Sequence, residues 1–223
     1  MSAREGHRGM YVLYGRAGWG SALIEAQLAW YDLPYRFEAV GDLFADAAAR
    51  EQLGRLNPIA QVPTLVLPDG AMMTESAAIT LLLGDRPGVP GLVPPAGAPT
   101  RAAFLRWLTF LVANVYPTFT YADDPSRFVA IEAARAPFCA AVEAYRQRMW
   151  QIVDQVAAQP WFLGDTFSAL DIYVAVMTHW RPRRAWFAEH CPRLTAIARR
   201  ADAEVALAQV WRRNFPPGQT DPD

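Results

Sequence analysis

At 223 residues the chain is long enough for one large domain or two modest ones, and 52% apolar with 19% charged residues is the balance of a globular protein. A formal net charge of −1 gives no electrostatic reason to bind nucleic acid or an anionic membrane, and the apolar stretch 104–115 is broken by Arg106 before it could span a bilayer. All 21 basic residues are arginine, which excludes a lysine Schiff base and a lysine-dependent phosphate loop.

Residues 10–14 read as a short apolar strand, followed by the loop Gly15-Arg16-Ala17-Gly18. Residues 21–31 carry Leu23, Ala26, Gln27 and Trp30 at helical spacing, and Asp32-Leu33-Pro34 ends that helix. Residues 35–40 alternate as a second strand, 46–56 are helical and alanine-rich, and 64–67 form a third strand closed by the Asp69-Gly70 turn. A partner strand at 71–73 and a helix over 76–83 complete the order β-α-β-α-β-β-α. A strand–helix–strand crossover implies a parallel pair and a tight turn an antiparallel one. Residues 10–83 are therefore expected to form a small mixed sheet carrying helices.

The stretch 84–100, GDRPGVPGLVPPAGAPT, is about half proline and glycine and marks the boundary to a second domain over 101–215. There every long segment is helical: 101–115, then 128–157 with Pro137 expected to kink it, then the almost wholly apolar 170–180, then 193–211 on the outside. In Phe167-Ser168-Ala169-Leu170-Asp171-Ile172, Ser168 suits the N-cap and Asp171 the third helical position of a capping box, with Phe167 and Ile172 as its staple. Residues 1–9 and 216–223 are expected to be flexible ends. The first nine residues lack an apolar signal core, and the expected location is the reducing cytoplasm.

Cys139 and Cys191 lie far apart with no CxxC, so neither a disulfide framework nor a zinc ribbon is encoded, and both read as packing residues. His7, His179 and His190 share no ligand spacing, and no metal site is expected.

Pro63 stands at the entrance of the third strand, where it offers no backbone N–H. With Val62–Pro63 cis, Val62 turns its N–H and C=O outward to pair with an extended peptide; with a trans bond, Pro63 merely starts an edge strand. In Met73-Thr74-Glu75-Ser76-Ala77-Ala78-Ile79, polar groups meet the positive end of a helix, a setting that holds a carboxylate, although Thr74 or Ser76 as a simple cap is the plainer reading.

These segments resemble the cytosolic glutathione transferases. NPIAQVPTLVLPDGAMMTESAAI is similar to their glutathione-binding core, and YVLYG, DLPY and FLGDTFSALDIYVA fall in the same order along the chain. The resemblance implies a thioredoxin-like α/β N-terminal domain and an all-α C-terminal bundle, assembled as a homodimer. It also implies glutathione as co-substrate, without a metal. Val62 would pair with the cysteinyl part of glutathione beside a cis Pro63, and Glu75 and Ser76 would hold the γ-glutamyl end. Gln61 would reach the glycyl carboxylate, with Arg16 as a further cation there or simply solvated.

Transfer to an electrophile needs the thiolate, and a free thiol near pKa 8.5 is only about 3% ionised at neutral pH. Set against the family, the usual activating serine falls on Gly18 and the bacterial cysteine on Gly20, neither of which has a side chain to offer. Tyr14 and Ser21 remain as hydroxyl donors. Their plain readings are a strand-end aromatic and a helix cap, with backbone N–H groups of the loop, or no catalysis, as the alternative. Without a loop cysteine, disulfide-exchange chemistry is disfavoured. Trp19, Tyr116, Phe119 and Tyr121 are candidates for the wall of a pocket for a small hydrophobic electrophile, whereas Trp107 reads as core. The expected function is thiolate transfer from glutathione. The alternatives are a non-catalytic glutathione- or ligand-binding protein of the same fold and a glutathione-dependent lyase or isomerase.

Overall fold

YVLYG is a continuous apolar run, and as β1 (Tyr11–Gly15) it is an inner strand of the sheet covered on both faces, with the adjacent Val12 and Leu13 fully buried. In the computed structural model, which describes residues 9–86 and 91–216, β1 pairs in parallel with β2 (Tyr35–Ala39) and antiparallel with β3 (Thr64–Val66). β3 in turn pairs antiparallel with β4 (Met72–Met73), giving the order β2-β1-β3-β4. This is the mixed sheet expected from the crossover and the tight turn. The expected flexible ends lie outside the described residues apart from Gly9 and Pro216, as do residues 87–90 of the proline-rich strap.

Three helices accompany the sheet: α1 (Ser21–Trp30), α2 (Ala47–Gly54) and α3 (Ser76–Gly84). Asp46 caps α2 by accepting from the N–H groups of Ala48 and Ala49 at 2.9 and 3.1 Å. α1 and α3 are cross-linked through polar groups: the Gln27 amide donates to Thr80 Oγ1 at 2.9 Å, and that hydroxyl donates to the Ser76 carbonyl at 2.8 Å. Past α3, the Leu92 N–H donates to the Tyr31 hydroxyl at 2.9 Å.

The chain divides into two compact units, and the division falls between Val93 and Pro94, inside the strap. The second unit runs over Pro94–Arg199, and the residues from Arg200 onward group with the sheet. Residues 200–215, expected in the helical domain, thus have their contacts mainly with the sheet unit. This has a local cause: the expected single helix over 193–211 is α9 (Pro192–Asp202), a short 3-10 turn (Val205–Leu207) and α10 (Ala208–Asn214). The break lets the last piece, with buried Val210 and Trp211, pack against α1.

Within the helical unit, α4 (Arg101–Phe110) continues through a π-helical turn (Leu111–Val115) toward α5 (Pro117–Asp123). α6 (Arg135–Val156) begins just before Pro137, so the proline sits in the first turn, where no backbone bond is lost, and not at a kink inside the helix. α7 (Ala169–Met177) is buried along its whole length, as its composition requires, and α8 (Arg183–His190) follows. Trp107 is core, edge-on to Phe110 and Phe162. Cys191 is fully buried and its thiol is pushed up to about 12 by burial, with the charge of Asp154 adding to the rise. Among the described residues no helix is long and apolar enough to cross a membrane, and no group of three or more metal-ligating side chains is gathered.

The capping box of α7 is complete. Asp171 accepts from the N–H of Ser168 at 2.7 Å and from its hydroxyl at 2.9 Å, and its other oxygen accepts from the Phe162 N–H at 2.7 Å. Asp171→Ala strands those buried donors, and urea unfolding is expected to show a loss on the order of 2–4 kcal/mol. Burial pushes the Asp171 carboxyl up to about 6 against these hydrogen bonds. The folded protein thus holds this proton more tightly than the unfolded chain. The contribution of Asp171 to stability is largest below about pH 4 and is lost as the pH rises through about 6. The melting temperature of the wild type relative to Asp171→Asn is expected to fall across that window and to stay level above it.

Candidate functional site

β1 ends on Gly15 because nothing larger fits: a Cβ there would lie 2.4 Å from Ser21 Cβ and 2.9 Å from the Phe37 ring. The loop that follows is closed by Ser21, which is fully buried at the start of α1. Its hydroxyl donates to the Arg16 carbonyl at 2.9 Å and accepts from the Arg16 N–H at 3.0 Å. The plain reading of Ser21 as the helix cap is thereby corrected: the N-cap of α1 is Gly20, and the Ser21 hydroxyl is engaged with the backbone of Arg16.

The Arg16 guanidinium pairs with Asp42 at 3.3 Å and lies over the Trp19 ring, 5.3 Å from its centroid. Asp42 is itself well anchored: the N–H groups of Phe44 and Ala45, with a smaller push from Arg16, hold its carboxyl below the usual range. Trp19 also meets Phe44, ring centroids 5.3 Å apart. Arg16 and Trp19 thus form one half-exposed cluster on the sheet unit.

Tyr14 pairs with Glu38 of β2 and Thr64 of β3, and by strand alternation its side chain leaves the sheet on the face opposite Leu13 and Gly15. Among the described residues its hydroxyl has no hydrogen-bond partner. Two residues before Thr64 lies Val62, and the Val62–Pro63 peptide is cis. Among the described residues neither the N–H nor the C=O of Val62 is paired within the chain.

The approach to Val62 is shaped by Asn57, which the sequence reading passed over although Asn-Pro is a turn signal. Buried at 2% exposure, Asn57 donates to the Gln61 carbonyl at 3.0 Å and to Thr64 Oγ1 at 3.1 Å, and accepts from the Ile59 N–H at 3.2 Å. Thr64 adds a second bond to the Gln61 carbonyl at 2.9 Å, so the backbone of Gln61 is held while its side chain faces solvent.

β3 and β4 run in the register Leu65↔Met73, and the same register continued past the strand ends brings Val62 level with Ser76, the first residue of α3. Ser76 is buried, and among the described residues its hydroxyl has no partner. Neither Ser76 nor Thr74 caps the helix; the N-cap is Glu75, exposed, with no side-chain cap bond and a φ of 63°. A non-glycine residue at positive φ is costly and is retained where the surroundings over-determine it.

In the helical unit, Tyr116, Phe119 and Trp180 meet edge-on, ring centroids 5.2–6.3 Å apart. Phe119 is mostly buried and backed by the Arg146 guanidinium, 4.4 Å from its ring centroid. Arg146 is fully buried and pairs with Glu143; burial, aided by the charge of Arg181, pushes it down to about 10. Tyr121 stands apart from this trio, exposed and packed on Phe128.

The glutathione S-transferase N-terminal domain family matches residues 24–86. YncG, a GST-like protein of Escherichia coli strain K12, is 40% identical over 206 residues, covering 92% of this chain and 98% of YncG. The chain belongs to the glutathione S-transferase family. Glutathione S-transferase GST-4.5 of Xanthomonas campestris pv. campestris is 28% identical over 201 residues, covering 88% of this chain and 96% of its own. A glutathione transferase homologue from Sulfitobacter, solved with bound glutathione, shares the fold with a TM-score of 0.80 at 24% identity, over 91% of this chain and 97% of that chain.

In this member of the family, the glycine expected at the position of the activating serine has a backbone that disfavours any side chain. Gly18 has a φ of +78°, and a Cβ on it would lie 3.4 Å from the carbonyl oxygen of Asn214. Gly18→Ser is therefore expected to cost about 1–2 kcal/mol in urea unfolding and to bring no gain in thiol reactivity. Asn57→Ala removes the donors that hold Gln61 and Thr64. It is expected to cost about 1–3 kcal/mol in the same measurement and to speed amide exchange over residues 57–64.

Proposed function

We propose that the protein binds glutathione along the open backbone at Val62 and directs its sulfur at a small apolar electrophile. The observation that carries this reading is the unpaired N–H and C=O of Val62 at the level of the unpaired Ser76 hydroxyl and the N-terminus of α3. An extended tripeptide pairs with such a backbone in the manner of an added strand, and its acidic end gains from the helix N-terminus. The glutathione bound in the Sulfitobacter homologue supports the same assignment.

Of the two hydroxyls considered, Tyr14 is the one kept as donor to the thiol, because Ser21 is committed to Arg16. A hydroxyl donor favours the thiolate over the thiol, and each unit of pKa lowering requires about 1.36 kcal/mol of such preference. The thiol proton leaves to solvent. The thiolate then supplies the electron pair of the new carbon–sulfur bond, and the leaving group departs with the pair of the bond it breaks. Trp19 is kept as a candidate for contact with the electrophile, and Arg16 and Gln61 for the glycyl end.

Calorimetric titration with glutathione is expected to show binding, weakened about tenfold in Ser76→Ala. Conjugation of an aromatic halide is expected to fall about 10- to 100-fold in Tyr14→Phe with glutathione affinity little changed, since one to two units of pKa are lost. No heat with millimolar glutathione would sink the assignment. Binding without turnover across a panel of electrophiles would favour a glutathione-binding protein that lacks the transfer step, a reading for which Gly18, Gly20 and the committed hydroxyl of Ser21 speak.

A further inference from the structure

The last helix of the chain reaches the loop between β1 and α1 through one side chain. Asn214, only 5% exposed, accepts from the Gly18 N–H through Oδ1 at 3.1 Å. Its Nδ2 donates to Glu25 Oε2 at 2.8 Å and to the Val210 carbonyl at 2.9 Å. These partners fix the amide orientation, because a flipped amide would set its N–H₂ against the Gly18 donor. Glu25 lies on α1, fully buried, and its Oε1 accepts from the Tyr35 hydroxyl at 3.0 Å and from Arg213, whose guanidinium lies over the Phe37 ring.

We propose that Asn214 is a positioning residue of the thiol site, its amide clamping the Gly18 N–H to the Glu25 carboxylate and so setting the loop over residues 15–20. The inference rests on the glutathione reading above and adds to it a residue some two hundred positions away. The loop has two anchors. Ser21 holds Arg16 at one end, and Asn214 holds Gly18 at the other. Between them Ala17, Gly18 and Gly20 offer no polar side chain, so apart from the Trp19 indole the donors available there are backbone N–H groups. Backbone donors acting beside the Tyr14 hydroxyl have no rotamer with which to correct an error. A shift of the loop by about an ångström is therefore felt directly at the reacting sulfur. The amide also joins the Gly18 N–H to a buried carboxylate without adding a charge, whereas Asp would add one and Leu would make neither bond.

The test uses the full chain and the variants Asn214→Ala, Asn214→Asp, Glu25→Gln and the pair Glu25→Gln with Asn214→Asp. Amide hydrogen exchange is read over residues 15–20 without ligand, and the ultraviolet absorbance of the bound thiolate is titrated against pH. Asn214→Ala is expected to speed exchange in the loop at least tenfold. It is also expected to raise the apparent pKa of bound glutathione by about one unit, with its dissociation constant changed less than about threefold. Asn214→Asp sets two carboxylates in contact and should behave as badly or worse. In the paired variant the amide and the carboxylate exchange places, so the amide introduced by Glu25→Gln donates to the carboxylate introduced by Asn214→Asp. That pair is expected to restore both readouts to within about threefold. Rescue by the pair keeps the test decisive even where a single variant folds poorly.

Unchanged loop exchange in a folded Asn214→Ala overturns the proposal. So does faster exchange with an unchanged thiol titration, which would leave Asn214 a purely structural clasp. If the wild type takes up no glutathione, the functional reading falls together with the thiol role assigned here. Uptake by the wild type with no effect of Asn214→Ala removes this inference alone.

Discussion

The antiparallel pairing of β3 with both β1 and β4 is the constraint on which the sheet unit depends. A strand of three residues between two partners has little freedom of register, because a one-residue slip would turn Thr64 and Leu65 to the wrong faces. Once that register is set, Tyr14 stands beside Thr64, and Val62, just beyond the last ladder bond, comes level with the start of α3. An unpaired stretch of backbone thus precedes β3, and a buried hydroxyl at a helix N-terminus follows β4. Asn57 makes the arrangement rigid from below, supplying from one buried side chain the bonds that the short loop cannot make to itself.

The loop between β1 and α1 is governed by exclusion. At Gly15 a methyl would overlap Ser21 and the Phe37 ring, and at Gly18 the backbone is left-handed beside the end of α10. Both positions favour glycine for reasons of space and conformation, and the hydroxyl of Ser21 is used up in holding the turn. Gly18 meets the C-terminal helix instead, its N–H donating to Asn214.

In the helical unit a different requirement applies. α7 is apolar enough to be buried all round, and a helix so placed cannot have its first N–H groups solvated, so Ser168 and Asp171 satisfy them from within. Nearby, Arg146 is buried as a charge, which requires partners on several sides: Glu143 for the charge and the face of Phe119 for the planar guanidinium. The aromatic trio of Tyr116, Phe119 and Trp180 is therefore backed by a polar interior.

Much of this was written in local pattern. The strand and helix order of the first half, the mixed sheet, the capping box of α7 and the buried character of α7 and Trp107 all follow from periodicity, turn chemistry and caps, which act over a few residues. What lay outside such a reading has one common cause, separation along the chain. Pro137 was placed by where α6 begins, not by its own preference. The basic and apolar alternation over 193–211 gave no sign of the break that sends α10 back to α1. Ser21 looks equally like a cap or a hydroxyl donor until Arg16 is seen folded against it. By itself the amino-acid order determined which segments become strands and helices and which residues must be glycine, proline or cap. Only the folded chain decided which hydroxyl stays unpaired and that Asn214 meets Gly18, because those are contacts between residues that no local energy brings together.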